Sequence, residues 1–116
     1  ITTLCREKGV ELILVKAPSL YPYWYEEYDA QMAAYAEQNG LSYYNFTECT
    51  DEIGLDFQVD TYDAGLHLNH TGALKLSEYF AKILAEEHGV EDRRNDPSIA
   101  AIYDEKLTRY DAEVNK

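Results

Sequence analysis

Asp60, Asp63 and His67 are the residues whose types and spacing best suit chemistry, and they stand in the run Asp60-Thr-Tyr-Asp63-Ala-Gly-Leu-His67-Leu-Asn69-His70-Thr-Gly72-Ala. The two carboxylates lie seven and four residues ahead of the imidazole, on a turn that contains Gly65. A carboxylate beside an imidazole fixes its tautomer and stabilises the imidazolium, which makes two parts of a nucleophile-activating triad. The third part has no strong candidate. Ser19 follows a strand end, but Pro18-Ser19 lacks the G-x-S-x-G elbow that exposes a nucleophile, so it reads as a turn residue. Cys5 sits on a helix with no paired histidine in sequence. A metal reading would draw on Asp60, Asp63, His67 and His70. His70 falls where a helix begins, and the positive end of that helix disfavours a cation. No metal and no cofactor is therefore expected.

The elements that must position these residues follow from hydrophobic patterning. Ile1 to Gly9 reads as a helix end closed by Gly9. Val10 to Ala17 is a short, nearly continuous apolar run, the mark of a strand covered on both faces in a parallel sheet. A Pro- and aromatic-rich loop follows, carrying Pro18, Tyr21, Pro22, Tyr23, Trp24 and Tyr25. Glu26 to Gln38 reads as a helix, stopped at Asn39-Gly40. Leu41 to Phe46 is a second strand, less apolar and so nearer a sheet edge. Residues 47–61 read as polar loop with a helical turn. Thr71 to Glu87 is an amphipathic helix with Ala73, Leu76, Phe80, Ile83 and Leu84 on one face, capped by Asn69, His70 or Thr71. After the charged break 91–97, a last helix runs to about Glu113, with Ile99, Ile102, Tyr103, Leu107 and Tyr110 in a stripe.

This alternation predicts an α/β fold with a parallel sheet. Ligands of such sheets sit beyond the C-terminal strand ends. The loop 17–25 and the loop carrying Asp60, Asp63 and His67 should therefore converge there. In the first loop Tyr23 and Trp24 either cap the core and pack against neighbouring structure or, as candidate substrate-binding residues, stack on sugar rings, and Asn69 beside His67 joins them in the second reading. Two strands make a poor sheet by themselves. The chain thus reads as the C-terminal half of a doubly wound domain, with an exposed sheet edge through which it can self-associate.

Composition narrows the classes. The 116 residues carry 22 acidic and 10 basic side chains, a net charge of −12. That balance argues against nucleic acid, whose phosphates need Lys/Arg density, and against anionic membranes. No apolar run reaches the length of a membrane span. Cys5 and Cys49 form no C-x-x-C pair, and whether they bond to each other is left open. The sequons Asn45-Phe-Thr47 and Asn69-His-Thr71 read as chance.

The signature Asp-x-x-x-His-Leu-Asn-x-x-Gly-Ala before a sheet-covering helix resembles the C-terminal block of SGNH/GDSL hydrolases. The strand context Lys8-Gly-Val-Glu-Leu-Ile-Leu-Val-Lys-Ala-Pro-Ser-Leu-Tyr-Pro is similar to their extracytoplasmic bacterial branch of acylesterases and O-acetyltransferase-like members. The likeness covers about residues 6–88. It implies a partial three-layer α/β/α sandwich of the flavodoxin-like kind with its N-terminal half missing. Residues 1–90 would be the C-terminal part of that domain, and 91–116 a helical extension. It further implies ester hydrolysis or acyl transfer on a small-molecule or glycan ester outside the cytoplasm. His67 would be the base and Asp63 its orienting carboxylate. The family usually spaces this pair by three, and here the separation is four. Asp60 therefore stays as the alternative. The family's Ser, Gly and Asn blocks are not found, so the serine is expected outside these residues and the chain alone is expected to be inactive. The alternative function is a non-catalytic carbohydrate-binding or interaction module that keeps the fold.

Overall fold

The computed structural model describes residues 1–20 and 24–114. Among them lie α1 (Thr2–Glu7), β1 (Ile13–Lys16), α2 (Glu26–Asn39), β2 (Ser42–Asn45), a 3₁₀ turn (Phe46–Glu48), α3 (Thr50–Ile53), α4 (His70–His88) and α5 (Pro97–Val114). The chain divides into two compact units, Ile1–Lys75 and Leu76–Lys116. The division falls within α4 rather than in the charged segment after it.

In the first unit β1 and β2 pair in parallel, with Ile13 opposite Ser42 and Lys16 opposite Asn45. A parallel pair requires a crossover, and α2 supplies it. The fold is thus broadly α/β, with a two-stranded parallel sheet among the described residues. Acidic Glu26, Glu27 and Asp29 in the first turn of α2 suit the positive end of the helix. Gly40 ends α2 in the left-handed region at φ 63°, and the Leu41 amide reaches back to the Ala36 carbonyl at 2.9 Å. The Thr2 and Tyr35 hydroxyls bond at 2.7 Å and tie α1 to α2.

The core of this unit is small. Phe46, Ala36 and Ile53 are its buried apolar residues, and Tyr44 stacks on Phe46 with ring centroids 6.0 Å apart. The first strand is shorter and wetter than its apolar run predicts. Ile13 and Leu14 are half-buried and Val15 is 45% exposed. Pairing with β2 spans four residues on each strand, so the ends of the run have no ladder partner there. Cys5 and Cys49 are both free thiols and half-buried.

In the second unit, the rest of α4 closes at Gly89 (φ 64°), where the Val90 amide bonds the Leu84 carbonyl at 3.0 Å. Asp96 caps α5 by accepting from the Ser98 amide at 3.0 Å and its hydroxyl at 2.6 Å. Pro97 follows at the first helical position, where no amide is needed. Arg94 pairs with Asp92 and holds that carboxyl at about 2. Ile102, Tyr103, Leu107 and Tyr110 are exposed on α5. No helix among the described residues is long and apolar enough to cross a membrane.

Candidate functional site

The loop 60–69 is closed on itself before α4 begins. An antiparallel bridge joins Thr61 to Leu68. The Tyr62 amide donates to the His67 carbonyl at 3.3 Å, and the Asn69 amide to the Asp60 carbonyl at 2.9 Å. The loop is thus a small hairpin with Asp63, Ala64, Gly65 and Leu66 at its tip. The tip turns through two residues of positive φ, Ala64 at 58° and Gly65 at 98°. Glycine reaches such angles freely, whereas an alanine there is strained by its Cβ. The Thr61 hydroxyl holds the tip from inside. It donates to the Phe57 carbonyl at 2.6 Å and accepts from the Gly65 amide at 2.9 Å.

This turn brings Asp63 and His67 together despite their four-residue separation. Asp63 Oδ1 accepts the His67 amide at 2.6 Å, and Asp63 Oδ2 meets His67 Nδ1. An ionised carboxylate can only accept, so the proton of a neutral ring must sit on Nδ1. The His67 ring and amide both hold the Asp63 carboxyl below the usual carboxylate range, the ring contributing most. Nε2 is then the basic nitrogen. It is unbonded among the described residues, and the side chain is 68% exposed. Tyr62 stacks on the imidazole, with centroids 6.0 Å apart and planes at 11°.

Asp60, the alternative carboxylate, is committed elsewhere. Its Oδ2 accepts from Lys75 Nζ at 2.6 Å and from the Asp56 amide at 2.8 Å. Its side chain is buried, and the Lys75 ammonium chiefly holds its carboxyl below the usual range. Lys75 also donates to the Gly54 carbonyl at 2.9 Å, which ties α4 to the end of α3. Asp60 therefore anchors the hairpin and does not touch the imidazole.

Asn69 is the N-cap of α4. Its Oδ1 accepts from the Gly72 amide at 3.1 Å and the Thr71 hydroxyl at 2.7 Å. Its Nδ2 donates to the Val59 carbonyl at 2.6 Å and the Thr61 carbonyl at 3.3 Å. With both ends of its amide in use, Asn69 supports the loop rather than presenting donors to a ligand. His70 is the first residue of α4.

The loop after β1 does converge on this hairpin. The Leu20 amide donates to the Gly65 carbonyl at 2.8 Å, and the Ser19 hydroxyl to the same carbonyl at 3.2 Å. A Cβ on Gly65 would come within 2.7 Å of Leu20 Cβ, so only glycine admits the contact. Ser19 thus spends its proton on Gly65 and not on His67. Trp24, also expected at the site, donates from Nε1 to Asp29 Oδ1 at 3.2 Å. The same oxygen accepts from the Tyr43 hydroxyl at 2.7 Å and from Asn45 Nδ2 at 2.9 Å. Those donors, Tyr43 first, keep the Asp29 carboxyl below its usual range. Burial, with the Asp29 carboxylate adding to it, pushes the Tyr43 phenol up to about 12. Tyr23 lies outside the described residues.

Patterning alone passed over Thr61, Lys75 and Asp29. Among the described residues no three of His, Cys, Asp and Glu gather as a metal site. No family model, curated protein or solved structure matches the chain.

Proposed function

We propose that the 60–69 hairpin is the histidine–aspartate part of a serine acyl-ester hydrolase or acyltransferase of the SGNH/GDSL kind. The observation that carries this reading is the state of His67: Nδ1 is held by Asp63 while Nε2 is left open to solvent. In that arrangement Nε2 takes the proton of a serine hydroxyl as the oxygen bonds to the ester carbonyl carbon. Collapse of the tetrahedral intermediate breaks the ester C–O bond, and the departing alcohol takes the proton back from Nε2. Water, or an acceptor hydroxyl, then attacks the acyl-serine by the same route. Asp63 stabilises the imidazolium formed on the way and stays ionised. The strained Ala64 between the two residues agrees with a functional turn, since backbone strain gathers at such sites.

The serine of this reading comes from outside the 116 residues, because Ser19 is turned to the Gly65 carbonyl. The parallel β1–α2–β2 unit would then be part of a three-layer α/β/α sandwich of the flavodoxin-like kind. The ester substrate would be an acylated glycan outside the cytoplasm, by resemblance to the acyl-transferring branch. Acetyl-ester hydrolysis by the product of the full reading frame tests the proposal. His67→Ala should lower kcat by about 10⁶ and Asp63→Asn by about 10⁴. Unchanged turnover in both variants would remove these residues from the mechanism.

A further inference from the structure

We infer that Tyr62 is a positioning residue for His67, its stacked ring holding the imidazole in the plane where Nδ1 meets Asp63 and Nε2 stays open. The inference rests on the reading of His67 as a base and adds a residue to it. The backbone sets the pair up. Thr61 bridges Leu68 and the Tyr62 amide bonds the His67 carbonyl, so Tyr62 and His67 are facing residues of the hairpin. Facing residues put their side chains on one side, close enough for rings to meet. The rings lie nearly parallel, at 11° with centroids 6.0 Å apart.

The contact has no core to serve. Tyr62 is 71% exposed and His67 Nε2 has no partner among the described residues. An exposed tyrosine is free to sample solvent, yet this one lies on the ring that the carboxylate holds. The Asp63–imidazole contact is itself open to water, where such pairs hold weakly. A single hydrogen bond also leaves the imidazole free to swing about it. Stacking on one face removes that freedom and leaves the other face and the Nε2 edge open. Asp63 thus fixes which nitrogen bears the proton, and Tyr62 fixes the plane in which the lone pair points. Asp63 is the charged group at the imidazole, Lys75 and Asp60 being paired with each other. Hydroxyl chemistry of Tyr62 plays no part, so phenylalanine should serve as well.

Long-range ¹H–¹⁵N correlation of the histidine rings, at mildly alkaline pH where imidazole is neutral, tests this without any turnover. Free imidazole side chains favour the Nε2–H form, so a held Nδ1–H form is diagnostic. The wild-type chain should show His67 as Nδ1–H, with ring protons displaced by the neighbouring aromatic current. Tyr62→Phe should keep both signatures. Tyr62→Leu and Tyr62→Thr should raise the Nε2–H population relative to Nδ1–H by about threefold to tenfold, the factor a stacked aromatic pair supports. Because Tyr62 is exposed, these variants should retain the amide spectrum of the folded chain. Asp63→Asn separates the two ideas. If it abolishes the Nδ1–H form while Tyr62→Leu and Tyr62→Thr change nothing, the Tyr62 inference is overturned and the Asp63–His67 pair stands. A wild-type His67 that is already Nε2–H overturns both.

Discussion

Gly72→Ala sets two effects of opposite sign against each other in the first turn of α4. Helix propensity favours alanine over glycine by about 1 kcal/mol. Steric packing opposes it. A Cβ at this position would lie 3.1 Å from Asp60 Cβ and 3.1 Å from Leu68 Cδ2, and it would overlap the Asp60 carbonyl oxygen. That oxygen belongs to the backbone and cannot swing aside as a side chain would. It also accepts the Asn69 amide at 2.9 Å, so moving it weakens the bond that closes the hairpin. Overpacking costs about 1–3 kcal/mol and the lost hydrogen bond about 1 kcal/mol, leaving a net destabilisation of about 1–3 kcal/mol after the propensity gain. For a unit of this size the melting temperature should fall by about 5–20 °C. Thermal circular dichroism measures the fall, and amide shifts should change most at Tyr62, His67 and Asn69. Gly40→Ala separates angle from space. Nothing lies within 4 Å of its added Cβ, so only its φ of 63° opposes the change. Its amide shifts should stay local to the end of α2. A Gly72→Ala chain that melts at or above wild type would refute the close approach of α4 to Asp60.

Three further outcomes follow from the same geometry. Asp60 and Asp63 are both held below the ordinary carboxylate value, so each contributes stability that is fully present above about pH 3.9 and is lost as pH falls through the lower folded values; acid titration by tryptophan fluorescence should show no weakening from this source between neutral and mildly acidic pH. Ala64→Gly relieves a positive φ of 58° and should raise stability by about 0.5–1 kcal/mol after the added freedom of the unfolded chain is counted, read as a shift in the urea midpoint. The 116-residue chain should not hydrolyse p-nitrophenyl acetate above background, and Ser19→Ala and His67→Ala should leave that rate where it is, since Ser19 bonds the Gly65 carbonyl.

Local chemistry wrote much of this fold into the sequence. Helices α2, α4 and α5 follow their apolar periodicity, and their ends follow Asn39-Gly40, Asn69, Gly89 and Pro97. The parallel pairing of β1 with β2 follows from the apolar run and the intervening helix. The proximity of Asp63 and His67 could be read from spacing because a turn needs only local residues. The choice between Asp60 and Asp63 could not. It depends on Lys75, fifteen residues beyond Asp60, and an ion pair across that distance leaves no periodic mark. The Asp29 cluster was equally hidden, since Trp24, Tyr43 and Asn45 reach it from separate segments. Burial of β1 was overstated because an apolar run records what a strand can bury and not how much neighbouring surface covers it.

The side-chain amide nitrogens of Asn45 and Asn69 have a consequence for production of the protein. Each lies in a glycosylation sequon. Asn45 Nδ2 is bonded to Asp29, and Asn69 Nδ2 to the carbonyls of Val59 and Thr61. A eukaryotic secretory host attaches sugar to that same nitrogen while the chain is still emerging, before either bond can form. A glycan on Asn69 would remove a hydrogen from the donor and place bulk between α4 and the loop it closes. Secretion from such a host would therefore yield a chain barred from its own hairpin, whereas a host without that modification leaves the amide free to fold.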